Sequence, residues 1–380
     1  MLSRIDRSLL YAVLFLMVLG ILFVFSSSSY FSLRYTGNIY TYAMKQMFFV
    51  LLGFGVMIFM ARYEYTELRR WIKPIVFLTF FLLLLVFVPG LGSVRGGARR
   101  WISLGFFDMN PAEFAKLVVV IYLSFILTKK QRKLGDFTFG FLPPLLIVTA
   151  MFFIILMQSG FSIAVLLLMV GMVMFFVGGA SLKHLLSVSL LSLPVLVAFV
   201  VKVAYRKARV LSFLNPWNDP YGKGYHLIQS YRAFANAGWF GKGLGNSTQK
   251  IGALPTPHTD FIYAIITEEM GLVVALLLLG VYLFIFLRAF LIAKRIKDPF
   301  GQLLGYGIAS LFGFHVLLNI GVTTGLFPPT GVSLPFVSYG GSSLLMFSCA
   351  MGILLNLSAH GDEVHATVKE VQRNFDEAFD

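Results

Sequence analysis

The 380-residue chain has little cysteine and little charge, and each scarcity excludes a class of protein. Its only cysteine, Cys349, excludes an intramolecular disulfide and any cysteine-rich zinc or redox motif. No nucleotide-binding phosphate loop and no helical His-Glu zinc motif occurs either. Charged residues make up 13% of the chain and hydrophobic residues 58%, with a mean hydropathy of +0.82. Such a chain cannot remain soluble in water, so its main solvent is lipid.

About ten apolar segments are long enough to cross a hydrocarbon layer of about 30 Å. This pattern predicts an all-α, polytopic integral membrane protein with about ten transmembrane helices. We expect a single transmembrane domain over 1–360, a large extracytoplasmic loop at 202–259 between spans seven and eight, and a cytoplasmic tail at 361–380. The predicted spans are 8–28, 44–62, 72–89, 112–128, 141–158, 161–178, 183–201, 260–287, 302–325 and 338–357.

Clusters of basic residues occur in alternate loops between these spans. The positive-inside tendency therefore places those loops and both termini in the cytoplasm, and it places the connections at 90–111, 202–259 and 326–337 outside. The clusters are Arg62, Arg69, Arg70 and Lys73; Lys129, Lys130, Arg132 and Lys133; and Arg288, Lys294, Arg295 and Lys297.

The long outward loop departs from this tendency because it is itself rich in cations. Long loops cross the membrane regardless of charge, so the cations are either tolerated or bind an anionic ligand such as a phosphorylated lipid. The glycine-rich segment 238–246 suits either a flexible turn or close backbone approach to a sugar or phosphate. The cations are Lys202, Arg206, Lys207, Arg209, Lys223, Arg232, Lys242 and Lys250.

Asp260 stands where this basic loop meets an apolar segment, and we expect it in the first turn of a helix. A carboxylate at that position either satisfies backbone N–H groups of the helix or acts as a general base. As a base it suits an inverting group transfer to a hydroxyl, with arginine and lysine holding a pyrophosphate leaving group. Glu268 and Glu269 follow in the same apolar segment, and acids within a membrane usually have a function.

Two further pairs of polar residues share a helix face. Pro111 is placed to begin a helix, and Glu113 and Lys116 then lie three apart, as a structural ion pair or as part of a site. His315 and Asn319 lie four apart, where they either face a cavity or join two helices by hydrogen bonds.

Four motifs together indicate a family. They read Ala-Arg-Arg-Trp-Ile at 98–102, Asn-Pro-Ala-Glu-Phe-Ala-Lys at 110–116, Pro-His-Thr-Asp-Phe-Ile at 257–262 and Leu-Pro-Phe-Val-Ser-Tyr-Gly-Gly-Ser-Ser at 334–343. With Asn-Pro-Trp at 215–217 and Gly-Lys-Gly-Tyr at 222–225, the chain resembles the SEDS family (shape, elongation, division and sporulation) over nearly its full length. It resembles the division and sporulation members more than the elongation members.

The resemblance implies an enzyme that polymerises lipid II into β-1,4 glycan strands at the outer face of the bacterial cytoplasmic membrane. It implies work with a class B penicillin-binding protein and other division or elongation membrane proteins, and no nucleic acid. A divalent cation, magnesium or manganese, is expected to assist departure of the pyrophosphate, or arginines of the long loop, Arg206 and Arg209 first, serve instead of it or as well. The ligands of the cation are unknown, and no organic cofactor is expected.

Asp260 matches the family's essential acid, Trp101 its important tryptophan, and Glu113 with Lys116 its acid and base in the central cavity. Where the family often reads Gln-Pro-Asp, this chain has Gln-Ser-Gly at 158–160, so a role for that aspartate cannot apply. The expected substrate-binding residues are Trp101, Arg99, Arg100, Glu113, Lys116, Arg206, Arg209, Lys242, His258, Thr259, Ser338, Ser342 and Ser343.

Two other function classes remain open at this point. A lipid II flippase would depend on acids within the membrane, Glu268 and Glu269, more than on Asp260. A non-catalytic scaffold of the division machinery would tolerate changes at Asp260.

Overall fold

The apolar segments of the chain form long helices. A computed structural model describes residues 5–95, 98–103, 105, 107–251, 254 and 256–376. Its α-helices are α1 (Arg7–Thr36), α2 (Thr41–Arg62), α3 (Leu68–Leu85), α4 (Pro111–Lys130), α5 (Leu142–Met157), α6 (Phe161–Val177), α7 (Leu182–Val201), α8 (Ala204–Leu214), α9 (Tyr225–Ala237), α10 (Ile262–Arg295), α11 (Pro299–Thr323) and α12 (Gly341–Asp376).

The helical membrane architecture predicted from hydropathy is confirmed. Within the described residues, eight helices are long and apolar enough to cross a membrane by length and composition. Two further predicted spans correspond to α6, which has 17 residues, and to α3, which carries Arg69, Arg70 and Lys73 near its start. Helices α8 and α9 lie within the predicted outward loop. The backbone of α12 continues past residue 360 as far as Asp376, with no helix end where the tail was predicted to start.

A small sheet was not predicted in the connection at 90–111. Strands β1 (Gly92–Arg95), β2 (Ala98–Ser103) and β3 (Asp108–Met109) form an antiparallel sheet in that order. Its register places Ser93 opposite Trp101 and Ile102 opposite Met109. Short strands with arginine at successive positions give no clear apolar alternation, so hydropathy alone did not reveal them. The sheet holds Trp101 beside the start of α4.

Helix α4 begins where the sequence predicts. Pro111 is its first residue, and the side chain of Asn110 accepts a hydrogen bond from the backbone N–H of Ala112 at 3.1 Å. The backbone N–H of Asn110 in turn donates to Ser342 Oγ at 3.0 Å, which connects the start of α4 to the start of α12. Helix α4 packs against α3, α6, α11 and α12, so its residues lie at the centre of the bundle.

Helix α10 is broken at Gly271, whose backbone has φ 82° and ψ 173°. In a membrane such a break is tolerated only where the freed backbone groups find partners within the protein. The glycine-rich segment supplies them by laying its backbone against the break. The bonds run from Lys242 N to Glu268 O (3.0 Å), Gly243 N to Glu269 O (2.8 Å), Leu272 N to Gly238 O (3.1 Å) and Val273 N to Trp239 O (3.3 Å).

Substitution of Gly271 by alanine is expected to destabilise the protein. A Cβ there would stand 2.3 Å from the carbonyl oxygen of Trp239, and the positive φ alone costs about 1–3 kcal/mol for a residue other than glycine. The thermal unfolding midpoint in detergent should therefore fall for Gly271→Ala. Gly280→Ala in the same helix is the matched control, because a Cβ there meets nothing within 4 Å. Equal midpoints for the two variants would contradict this assignment.

Candidate active site

One cavity of about 480 Å³ collects most of the residues expected to bind substrate or to catalyse the reaction. It lies at the end of the bundle where α4, α10 and α12 begin, with β2 and α8 beside it. Residues far apart in the chain therefore meet around one space. Those lining it include Arg100, Trp101, Glu113, Arg206, Arg209, Thr259, Asp260, Ser342 and Ser343.

Asp260 lines this cavity from the loop that precedes α10. The helix begins at Ile262 with Phe261 at the N-cap position, so the expectation that Asp260 starts the helix was wrong. The reason is that the chain is held in a turn up to Phe261 by contacts with a distant loop. Asp260 does not occupy the capping position, which leaves its carboxylate facing the cavity.

Two polar side chains hold the backbone around Asp260. The amide of Asn319 donates to the carbonyl oxygen of Asp260 at 3.0 Å and to that of Val332 at 2.7 Å. The hydroxyl of Ser338 donates to the carbonyl oxygen of Thr259 at 2.6 Å. Both side chains are almost fully buried. They join the loop of Asp260 to the loop that leads into α12, and this fixes the position of the carboxylate.

His258 belongs to the same loop, and its side chain lies within a cluster of aromatic rings. Its ring centroid is 4.7 Å from that of Tyr42, 5.2 Å from that of Phe31 and 5.6 Å from that of Tyr339. Its carbonyl oxygen accepts a hydrogen bond from the backbone N–H of Tyr339 at 2.8 Å. Burial lowers the pKa of His258 to about 4, so its imidazole is neutral at pH 7. His258 therefore supports the wall of the cavity from behind.

The charge on Asp260 depends on two opposed effects. Burial raises the pKa of its carboxyl, while the positive charges of Arg209 and Arg100 and a hydrogen bond with Thr259 lower it. Arg209 also donates to the carbonyl oxygen of Pro329 at 3.3 Å, which holds its guanidinium at the cavity wall. Burial raises the pKa above the ordinary value on balance, which moves the carboxyl toward the range useful for proton transfer.

Arg206 is fixed at the other side of the cavity. Its guanidinium donates to the carbonyl oxygens of Phe199 and Leu156, each at 3.3 Å. It also stacks over the ring of Phe161, with 5.6 Å between the guanidinium carbon and the ring centroid. Arg206 thus connects α8 to the ends of α5, α6 and α7.

Glu113 and Lys116 form the ion pair that their spacing predicts. Lys116 is 1% exposed and its ammonium donates to Glu113 Oε2 at 2.7 Å. The same ammonium contacts Nε2 of His315, so α4 and α11 meet at this point. Glu113 lines the cavity, whereas Lys116 lies behind it. Lys116 therefore acts on the cavity through Glu113.

Comparison with known proteins decides the family. The family model for the FtsW, RodA and SpoVE proteins, described as "Cell cycle protein", matches residues 6–363. The chain belongs to this family. The resemblance to the SEDS proteins is thereby confirmed.

Individual relatives cover nearly the whole chain. A probable peptidoglycan glycosyltransferase FtsW from Geobacter sulfurreducens is 38% identical over 356 residues, which are 94% of this chain and 95% of that protein. Stage V sporulation protein E from Bacillus subtilis is 39% identical over 93% of this chain and 97% of its own.

Two solved structures share the fold. A chain of a peptidoglycan synthase complex that coordinates polymerization and crosslinking superposes with a TM-score of 0.77 at 29% identity, covering 94% of this chain and 98% of its own. The rod shape determining protein RodA of Thermus thermophilus gives a TM-score of 0.68 at 25% identity, covering 93% of this chain and 96% of its own.

Several residues expected to bind substrate lie away from the cavity of this SEDS protein. Arg99 is exposed and donates to the carbonyl oxygen of Phe87 at 3.2 Å. Lys242 forms an ion pair with Glu268 at 3.1 Å, at the break in α10. Ser338, like His258, stands in the wall behind the Asp260 loop. Their roles in binding stay predictions, and the structure gives each of them a partner within the protein.

Glu268 and Glu269 anchor the long loop. Glu268 accepts hydrogen bonds from the hydroxyl of Thr248 at 2.8 Å and from the hydroxyl of Ser247, in addition to the ion pair with Lys242. Glu269 pairs with Lys250 at 2.7 Å and accepts from the hydroxyl of Ser26. Each intramembrane acid is thus neutralised by a lysine of the loop.

Some cavity residues were missed in the sequence. Ser159 and Ser162 line the cavity, and the hydroxyl of Ser162 donates to the carbonyl oxygen of Thr330 at 2.7 Å. Ser159 has a positive φ of 62°, which marks a sharp turn between α5 and α6. Polar residues between two apolar spans were the available signal for this part of the cavity.

The expected divalent cation has no protein cage in the described part of the chain. No group of three or more His, Cys, Asp and Glu side chains there could hold a metal ion. Of the two cavity carboxylates, Glu113 is paired with Lys116 and Asp260 faces arginines. This donor set does not fit a resident cation bound by the protein alone.

Loss of Lys116 is expected to destabilise the protein because it leaves Glu113 without its partner. Removing one member of a buried ion pair costs about 3–5 kcal/mol, whereas replacing both with uncharged groups costs much less. Lys116→Met should therefore lower the thermal unfolding midpoint more than Glu113→Gln/Lys116→Met does. Arg70→Gln is the control, because the exposed pair of Arg70 with Glu67 contributes little. A double variant less stable than the single one would refute the pairing.

Proposed function

We propose that this SEDS protein is a peptidoglycan glycosyltransferase that polymerises lipid II into β-1,4 glycan strands at the outer face of the bacterial cytoplasmic membrane. The observation that carries the proposal is Asp260, a carboxylate that lines a 480 Å³ cavity together with Arg100 and Arg209 at one end of the helical bundle. The relative from Geobacter sulfurreducens, named a probable peptidoglycan glycosyltransferase, supports it.

Asp260 acts as the general base in the proposed reaction. The 4-hydroxyl of one disaccharide attacks the anomeric carbon of another, and Asp260 takes the hydroxyl proton. The new carbon–oxygen bond forms as the bond to the lipid pyrophosphate breaks, and the pyrophosphate leaves with the electron pair. Attack from the face opposite the α-linked pyrophosphate gives the β linkage.

The arginines of the cavity hold the pyrophosphate. Arg100, Arg206 and Arg209 lie around the space that Asp260 faces, and guanidinium groups bind phosphate oxygens by charge-assisted hydrogen bonds. They stabilise the negative charge that grows on the leaving group. The hydroxyls of Thr259 and Ser343 line the same cavity and offer hydrogen bonds to sugar hydroxyls.

Trp101 and Glu113 complete the proposed binding surface. Trp101 lines the cavity, and an indole offers a flat apolar face on which a sugar ring can pack. Binding of magnesium or manganese stays a prediction from the family. In this proposal the residues that line the cavity hold the substrate without a divalent cation.

The proposed partner is a class B penicillin-binding protein, which crosslinks the strands that this chain makes. The synthase complex that contains the structural relative supports a partner of this kind. We also propose that the chain works with other division or elongation membrane proteins in the inner membrane, with both termini cytoplasmic. The latter follows from the basic clusters in alternate loops.

A flippase is less well supported because transport needs polar groups that change partners at depth. Glu268 and Glu269 have their charges matched by Lys242 and Lys250 and serve to anchor the long loop. A scaffold would have no need of a buried carboxylate under the influence of two arginines, on a loop whose backbone Asn319 holds.

Replacement of the base should abolish polymerisation while the fold is kept. Asp260→Asn removes the proton acceptor with little change in shape, and loss of a general base costs about 10²–10⁴ in rate. Glycan-strand formation from purified lipid II, by protein reconstituted with a class B penicillin-binding protein, measures this.

The matched control is Asp219→Asn, since Asp219 is an exposed acid of the same long loop outside the cavity. It should polymerise like the wild type. Two results together would contradict the proposed enzyme and favour the flippase. They are normal polymerisation by Asp260→Asn and loss of headgroup translocation when Glu268 or Glu269 is replaced.

A further inference from the structure

A second pocket lies at the opposite end of the bundle from the active-site cavity. It has a volume of about 300 Å³ and is found where α1 begins and α10 ends. Its lining includes the side chains of Arg7, Arg288 and Arg295, together with Asp6, Ser8 and Ser358. It shares no lining residue with the active-site cavity, so nothing in the proposed reaction accounts for it.

One of the three arginines is neutralised within the protein. Arg288 Nε pairs with Asp6 Oδ2 at 2.6 Å, and the other oxygen of Asp6 accepts from the hydroxyl of Ser8 and the backbone N–H of Leu9. The backbone N–H of Asp6 donates to Ser358 Oγ at 2.9 Å. Burial raises the pKa of Asp6, but these hydrogen bonds and Arg288 lower it below its ordinary value. Asp6 therefore stays ionised and positions Arg288.

Arg7 and Arg295 leave a surplus of positive charge at the pocket. In the part of the chain that the structure describes, neither has a carboxylate within ion-pair distance. The pocket therefore offers two unmatched guanidinium groups next to the Asp6–Arg288 pair. Guanidinium groups bind phosphate oxygens with planar, two-point hydrogen bonding.

The helix surface next to each of these two arginines, on the side toward the middle of the bundle, is apolar. Tyr11 lies one helical turn from Arg7 on α1, and Leu291 one turn from Arg295 on α10, so each pair shares a helix face. Tyr11 is 64% exposed and Leu291 43% exposed, and Phe15 continues the face of α1 with 50% exposed. Helices α1 and α10 pack against each other, and residues from both line the pocket.

We infer that this pocket binds the phosphate of an anionic phospholipid, with the acyl chains lying along the exposed faces of α1 and α10. The two arginines supply the charge for the headgroup, and the apolar faces below them supply the surface for the chains. Free inorganic phosphate would bind the arginines in the same way as a lipid headgroup, but it has no acyl chain to contact the apolar faces. The basic clusters place this end of the bundle at the cytoplasmic leaflet.

Lipid retention by the delipidated full-length protein in detergent tests the inference. Native mass spectrometry would measure binding of phosphatidylglycerol and of phosphatidylcholine to the wild type and to Arg7→Gln/Arg295→Gln. The wild type should prefer phosphatidylglycerol, and its affinity should fall about fivefold for each arginine removed. Unchanged binding of phosphatidylglycerol by the double variant would overturn the inference.

Two controls separate the charge at the pocket from other effects. Arg132→Gln/Lys133→Gln removes two cations from another basic loop and should bind like the wild type. Arg7→Lys/Arg295→Lys keeps the charge but loses the planar guanidinium, so it should bind less tightly than the wild type and more tightly than Arg7→Gln/Arg295→Gln, which distinguishes loss of charge from loss of fold. A thermal midpoint raised by inorganic phosphate as much as by phosphatidylglycerol, with both effects lost in the glutamine variant, would identify free phosphate and overturn the lipid assignment.

Discussion

Backbone polar groups within a membrane must find partners in the protein, and the active-site end of this chain depends on that constraint. The chain is not helical around Asp260 and is broken again at Gly271. The first irregular segment is held by side chains, chiefly the amide of Asn319, and the second by the backbone of 238–243. Without these bonds, we expect helix α10 to continue as a regular helix through both segments. The Asp260 carboxylate would then take a different orientation.

Catalysis, as we propose it, follows from the same bonds. They hold a buried carboxylate just before α10, where burial weakens its acidity, and arginines from β2 and α8 oppose that effect. Electrostatic interactions are stronger there than in water because the surroundings are poorly polarisable. The long loop is kept in place by the ion pairs of Lys242 with Glu268 and of Lys250 with Glu269, so two acids for which the sequence suggested a function within the membrane instead support the site.

Hydropathy was enough to predict the membrane helices, because burial in lipid demands long apolar runs whatever their packing. Local spacing was enough for the start of α4 at Pro111 and for the pair of Glu113 with Lys116. The small sheet and the break at Gly271 escaped prediction, since each depends on partners far away in the chain. The bond from Asn319 to the carbonyl oxygen of Asp260 spans 59 residues, and no local pattern predicts such a contact.

The pH dependence of glycan synthesis by Arg209→Gln tests most directly whether Asp260 is a base held ionised by arginine. Asp260 must be ionised to take a proton, so activity falls as pH drops through its pKa. Arg209 lowers that pKa, and its removal should shift the acidic limb of the rate profile to higher pH. Arg99 lies next to Arg100 on β2 but is exposed and outside the cavity, so Arg99→Gln should leave the pH of the acidic limb unchanged. An acidic limb unmoved in Arg209→Gln, or moved to lower pH, would contradict the role of Asp260.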